Sequence, residues 1–308
     1  MNLKKPKFWD YKNPNIYAYL LYPLSLIIKS LNIIKFKHQK KIHNIKTICV
    51  GNIYLGGTGK TSLSIQIKKI LTKKNISSCF VKKFYRDQTD EQIILKKNGK
   101  LFLSKSRIDA IKNAEESDYK FAILDDGLQD NSFYKDISFV CFNNINWIGN
   151  GMTIPSGPLR EDLKNLKNYE HVFLNGNLEN LSHLKNEILK FNSKIHIHIG
   201  KYEITNLEEF NLNNKFLVFS GIGNHKTLIS MMKKYNFIIV RDIEFPDHYQ
   251  YSSEDIKKLI KTSEKLDCQI ITTEKDFNRI KNLQTNEIKY LKSELKVMDE
   301  DKLINSII

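Results

Sequence analysis

A chain of 308 residues, 41% of them hydrophobic, is long enough for one large domain or two of ordinary size and apolar enough for a sizeable core. Its four cysteines (Cys49, Cys79, Cys141, Cys268) follow no CxxC or CxxH spacing, which excludes a zinc site or disulfide framework and fits a reducing compartment. The net charge of +15 is concentrated at the N-terminus, where the first 46 residues hold ten lysines against one acid, Asp10.

Those lysines flank an apolar run. Ile16 to Phe36 reads IYAYLLYPLSLIIKSLNIIKF, about one membrane thickness if fully helical. Pro23 interrupts it, and Ser25, Lys29 and Asn32 fall near one face at helical spacing. Lys4, Lys5, Lys7 and Lys12 precede it, and Lys35, Lys37, Lys40 and Lys41 follow. A spanning helix would put one of these clusters on the wrong side of the positive-inside rule. The pattern predicts a helix lying in the interface of an anionic membrane, with Trp9, Tyr17, Tyr19 and Tyr22 at headgroup depth. A spanning helix and a soluble core helix are its alternatives.

Next comes KTICVGNIYLGGTGKTSLSIQIKKIL. Thr47 to Val50 is a β-branched strand run, and Ser62 to Leu71 carries apolar residues at helical spacing. The glycine-rich Gly56 to Thr61 lies between them, in the strand–loop–helix context that a P-loop requires. Its backbone N–H groups would face phosphate oxygens at the positive end of the helix. Lys60 would reach the β- and γ-phosphates, and Thr61 would ligate Mg²⁺. The strict pattern calls for glycine where this chain has Tyr54. Further on, the strand pattern Phe121 to Leu124 ends in Asp125 and Asp126, where a P-loop fold holds its metal. His196 and His198 read as ordinary strand positions.

Five segments, GNIYLGGTGKT, LDDGLQ, GNGMTIPSGPLRE, FPDHYQYS and TTEKD, occur in the order and rough spacing of one family. Over about residues 10 to 280 the chain resembles the tetraacyldisaccharide 4'-kinases of lipid A biosynthesis, and Gly149 to Glu161 is the most specific stretch. The resemblance implies an ATP-dependent kinase, with Mg²⁺, that phosphorylates the 4'-hydroxyl of the lipid A disaccharide 1-phosphate precursor at the cytoplasmic face of the bacterial inner membrane. It carries the ATP site onto Tyr54, Leu55, Gly56, Gly57, Thr58, Gly59, Lys60 and Thr61, and the metal site onto Thr61, Asp125 and Asp126. The arginine–glutamate pair falls on Arg160 and Glu161, the catalytic aspartate on Asp90 and its histidine partner on His248. Three departures stand out. The family's RGYG is reduced to KKFYRD, with Tyr85 the match; the segment before Asp90 is shortened, so that Glu91 competes for the base position; and a histidine after DDGLQ is Asp130 here.

Chemically, phosphoryl transfer needs positioning and charge neutralisation, and an alcohol nucleophile gains from a general base. A histidine beside Asp90 would share its proton, and the resemblance has the two meet as a cleft closes. Arg160, after the PSGPL turn, suits a bidentate phosphate clamp, on the γ-phosphate or on the substrate's 1-phosphate. Lys275 and Asp276 end a strand over Gln269 to Thr273 and are either structural or substrate-facing.

The expected architecture is α/β: a basic membrane-associated segment over 1–44, a P-loop NTPase-like doubly wound sheet over 45–205, and a smaller C-terminal α/β domain over 206–308, with Asn206 to Asn214 as linker. No nucleic acid and no oligomer is called for. The rival readings are a switch-type P-loop protein, for which no NKxD motif is found, and a catalytically degenerate nucleotide-binding protein at the membrane.

Overall fold

The computed structural model describes residues 5–35, 41, 43–85, 89–283 and 287–308, with side chains as far as Ser30 in the first stretch. Lys4, Phe36, Lys37 and Lys40, the side chains of Asn32 and Lys35, and Arg86 and Asp87 of KKFYRD lie outside this description. The chain forms two compact units. One comprises 1–201 with 297–308, and the other 202–296.

The first unit opens with α1 (Ile16–Lys35), whose start is capped by Asn15 Oδ1 accepting from the Ala18 N–H at 3.1 Å. Then follow β1 (Lys46–Gly51), α2 (Lys60–Lys73), β2 (Ser78–Lys83), α3 (Thr89–Asn98), β3 (Leu101–Ser104), α4 (Arg107–Glu115), β4 (Phe121–Asp125) and β5 (Ile137–Asn143). After a long irregular stretch come β6 (His171–Asn175), α5 (Leu181–Phe191) and β7 (His196–Ile204). From β3 to β7 the strands lie side by side in the order β3-β2-β4-β1-β5-β6-β7, every pairing parallel. β1, β4, β5 and β6 are near-continuous apolar runs because helices cover both faces of such a sheet. Strand order reverses about β1, so the loops after β1 and β4 meet at the switch point where α/β sheets bind ligands.

In the second unit β8 (Lys215–Ser220), α6 (His225–Lys234), β9 (Ile238–Glu244), α7 (Ser253–Leu266), β10 (Gln269–Thr273), α8 (Glu274–Ile280) and β11 (Ile288–Leu291) build a four-stranded parallel sheet in the order β11-β10-β8-β9. Apolar clusters lie on both of its faces: Phe216, Val218 and Met232 on one, Leu217, Phe219 and Ile256 on the other. The segment 206–214, read as a linker, instead folds onto this unit. Phe210 joins its core, and Asn206 donates to Glu209 and to the Tyr290 carbonyl. β12 (Ser293–Val297) then leads the chain back to the first unit. There α9 (Glu300–Asn305) packs against α2, with Lys73 Nζ donating to Glu300 at 2.9 Å, so the C-terminal residues do not stay with the second unit.

α1 inverts the usual amphipathic arrangement. Among its described side chains the buried ones are small or polar: Ala18, and Ser25, which donates to the Thr153 carbonyl at 2.9 Å and to Ser156 Oγ at 2.8 Å. Lys29 pairs with Asp162 at 2.5 Å. Ile16, Tyr17, Tyr19, Leu20, Tyr22, Leu24 and Ile27 are exposed. Two expectations are corrected here. Trp9 is 7% exposed, its indole donating to the Pro155 carbonyl at 3.0 Å, so it is a docking residue rather than a headgroup anchor. Lys5 and Lys41 of the basic flank pair with Asp10 and Asp136. Among the described residues no helix is long and apolar enough to cross a membrane.

Candidate active site

The loop between β1 and α2 is held open by its own side chains. Asn52 Nδ2 donates to the carbonyls of Tyr54 (2.6 Å) and Gly56 (3.1 Å) and to Thr58 Oγ1 (2.9 Å), while Asn175 donates to the Thr58 carbonyl at 2.8 Å. With these carbonyls engaged from within, the loop can turn its N–H groups from Gly56 onward toward an anion. Gly59, immediately before α2, has φ 79°, a left-handed conformation that a side chain would disfavour. Tyr54, at the position where the strict pattern has glycine, is buried. It bridges to Leu159, its hydroxyl reaches Asp10 at 3.1 Å, and Lys5 lies over its ring. Leu55 N–H donates to the Pro158 carbonyl at 2.8 Å, tying the phosphate loop to the PSGPLRE turn.

Five of the predicted groups converge beside this loop. Thr61 Oγ1 donates to Asp125 Oδ2 at 3.1 Å, and Asp126 Oδ1 lies 3.7 Å from Lys60 Nζ and 3.3 Å from Arg160 Nη1. Burial pushes the Asp126 carboxyl up, but Lys60 and Arg160 outweigh it and hold the group below the usual carboxylate range. The donor set of one hydroxyl and two carboxylates suits Mg²⁺, which takes few protein ligands and completes its shell with phosphate oxygens and water. Among the described residues no group of three or more His, Cys, Asp or Glu is placed to hold a metal ion.

The GNGMTIPSGPLRE stretch owes its glycines to close packing. A Cβ at Gly149, whose φ is 57°, would lie 2.1 Å from the Trp9 carbonyl oxygen. Docked under the N-terminal segment, the stretch delivers Arg160 to Asp126 and Glu161 to a buried position. There Glu161 accepts from Gln129 (2.9 Å), Asn165 (3.2 Å) and the Tyr169 hydroxyl (2.9 Å). Glu161 is therefore a scaffold for Gln129, whose Oε1 accepts from Arg160 at 3.2 Å.

A family model for tetraacyldisaccharide-1-P 4'-kinase matches residues 17–308. The chain belongs to that family. It is 54% identical over 308 residues to the tetraacyldisaccharide 4'-kinase of Pelagibacter ubique (strain HTCC1062), covering all of this chain and 98% of the relative. It is 32% identical over 325 residues to that of Rickettsia akari (strain Hartford), covering 100% and 97%. The crystal structure of "apo" form LpxK from Aquifex aeolicus in complex with ATP shares the fold, with a TM-score of 0.65 at 21% identity over 95% of this chain and 99% of that one. The chain is thus a kinase of this family, and the reading as a degenerate or switch-type protein gives way.

Within this 4'-kinase the structure adds residues that sequence reasoning passed over. Lys82, in the segment that departs from the family's RGYG, is completely buried. Its Nζ donates to Asp125 Oδ2 at 2.7 Å and Glu91 Oε2 at 2.6 Å. Burial alone would lower its pKa; the two carboxylates reverse this and raise it. A lysine inside a buried strand was the available signal. Asp130, in place of the family's histidine, accepts from Arg107 Nη1 at 2.9 Å, while Arg107 Nη2 donates to the Asp126 carbonyl at 2.5 Å and braces the left-handed DDG turn. Asp90 stands in the first turn of α3, and Gln92 Nε2 donates to the Tyr85 carbonyl at 2.8 Å, closing that turn onto the departed motif. His248 belongs to the second unit, where Asp276 of TTEKD is fully buried and structural.

Proposed function

We propose that this kinase transfers the γ-phosphoryl group of ATP to the 4'-hydroxyl of the lipid A disaccharide 1-phosphate precursor while resting on an anionic membrane surface. The observation that carries the reading is the convergence of Lys60, Thr61, Asp125, Asp126 and Arg160 at the carboxyl ends of β1 and β4. The loop from Tyr54 to Gly59 binds the nucleotide phosphates through its backbone. Lys60 neutralises charge on them, and Thr61 with Asp125 and Asp126 would hold Mg²⁺, which when bound draws charge from the phosphate oxygens. Arg160 clamps a phosphate, and Glu161 positions it through Gln129.

Asp90 takes the proton of the acceptor hydroxyl, and His248 supports it. The ion pair of Glu91 with buried Lys82 speaks for Asp90, since a carboxylate held by a buried ammonium is a poor base. The exposed apolar face of α1, from Ile16 to Ile27, makes the enzyme a peripheral or monotopic protein of the cytoplasmic face of the inner membrane, and the reaction requires no oligomer.

A phosphate-transfer assay with labelled ATP and the lipid acceptor, run on Asp90→Asn and Glu91→Gln side by side, tests this. Asp90→Asn is expected to lose about 10²- to 10⁴-fold in kcat with little change in KM for ATP. Collapse in Glu91→Gln with a near-normal Asp90→Asn would move the base by one residue, and no lipid-dependent transfer by the wild type would remove the whole reading.

A further inference from the structure

His248 is held from several sides within the second unit. Its φ of 59° is left-handed, a conformation uncommon for a residue with a side chain. Its N–H donates to the Gly221 carbonyl at 3.1 Å and faces Asp247 Oδ1 at 3.0 Å. Such a backbone persists only where the surroundings over-determine it. On the ring, Arg279 Nη2 lies 3.4 Å from Nδ1. Arg279 is itself fixed, its Nη1 donating to the Gly221 carbonyl at 2.8 Å and to Asp276 Oδ1 at 2.9 Å, with its side chain 6% exposed and that of Asp276 fully buried. Asp276 is locked in turn by the Tyr251 hydroxyl at 3.1 Å and Thr273 Oγ1 at 2.7 Å. Residues from SGIG, FPDHYQYS and TTEKDFNR thus converge on one imidazole.

A guanidinium has five donors and no acceptor, so the ring nitrogen facing it carries no proton. In a neutral imidazole the proton then sits on Nε2. Asp247 acts the other way, its Oδ1 lying 3.9 Å from Nε2. That separation is wider than the contact with Arg279, and the Asp247 side chain is 42% exposed.

We infer that Arg279 is a positioning residue of the kinase: it fixes His248 as the neutral Nε2–H tautomer, so that the ring offers a donor to a carboxylate. The inference rests on the reading of His248 as the support of the base. A donating nitrogen orients a carboxylate oxygen, whereas an accepting one repels it.

The full chain, labelled with ¹⁵N-histidine, is examined by long-range ¹⁵N–¹H correlation, with the His248 signals assigned by their loss in His248→Gln. The wild type is expected to show the Nε2–H pattern. In Arg279→Gln the His248 tautomers mix, and kcat falls by at least about 10-fold, a part of what base catalysis contributes, with KM for ATP within about 3-fold. Arg279→Lys, which keeps a cationic donor, recovers part of both. A wild-type Nδ1–H pattern overturns the inference, as does an unchanged tautomer in Arg279→Gln. Should Arg279→Gln fail to fold, the wild-type spectrum still decides, since it needs no substitution. Wild-type turnover by His248→Gln sinks the role of His248, and with it the catalytic meaning of Arg279, whatever the tautomer.

Discussion

Lys82 Nζ lies 2.7 Å from Asp125 Oδ2, and neither side chain has any exposure to solvent. The same ammonium holds Glu91 at 2.6 Å, so one buried cation joins the carboxylate beside Thr61 to the helix that carries Asp90. Removing one partner of such a pair leaves a buried charge uncompensated, which typically costs about 3–5 kcal/mol. Lys82→Met is therefore expected to lower Tm by several degrees and to weaken ATP binding measured by calorimetry. A variant with wild-type Tm would show that the pair is not what holds α3 against β4.

Lys60 and Thr61 play no part in core packing. Lys60→Ala and Thr61→Ala are expected to retain the wild-type circular dichroism spectrum and to lose at least about 10²-fold in kcat at saturating ATP and Mg²⁺, the scale of one transition-state donor. Wild-type rates in either variant would remove these two residues from the phosphate site.

The two faces of α1 separate membrane binding from docking. Leu20→Glu with Ile27→Glu alters only exposed positions, so Tm should shift by no more than about 0.5 kcal/mol equivalent, while flotation with anionic phospholipid vesicles is lost. Ser25→Leu, at a buried position against Thr153 and Ser156, should instead lower Tm and turnover together. High salt alone should weaken vesicle binding by the lysine contribution. Vesicle binding that survives the double glutamate variant would place the membrane contact elsewhere.

His171 and His198, with Nδ1 and Nε2 in contact at 3.2 Å, are kept neutral chiefly by burial, which pushes their pKa values down to about 3 and about 4. An unfolded histidine protonates near pH 6.5. Below that value the unfolded chain binds more protons than the folded one, so the contribution is complete above about pH 6.5 and is lost as pH falls toward 4. The slope is up to about 1.4 kcal/mol per pH unit for each histidine. His171→Phe with His198→Leu should flatten the dependence of Tm on pH between 6.5 and 4.5. Parallel curves for variant and wild type would mean the pair titrates alike in both states.

Much of the phosphate site was legible from the chain alone, because its signals are local. A β-branched strand, a glycine turn and an amphipathic helix within 26 residues define where β1, Gly59 and α2 fall, and a strand ending in two aspartates defines β4. What no local pattern states is which side chains meet across the sheet. The spacing of Ser25 and Lys29 marked a polar stripe on α1 but not that the stripe faces the protein, since Thr153 and Asp162 lie more than a hundred residues away. Trp9, read as a headgroup anchor, is buried because the left-handed turn at Gly149 leaves room for its backbone. Lys82, Arg107 and Gln129 acquire their roles only once parallel pairing brings β2, β4 and the Arg160 turn together. Local periodicity determined the elements and the phosphate loop. The register of the parallel sheet, a property of residues far apart in the chain, decided which charges are buried together and what each one holds.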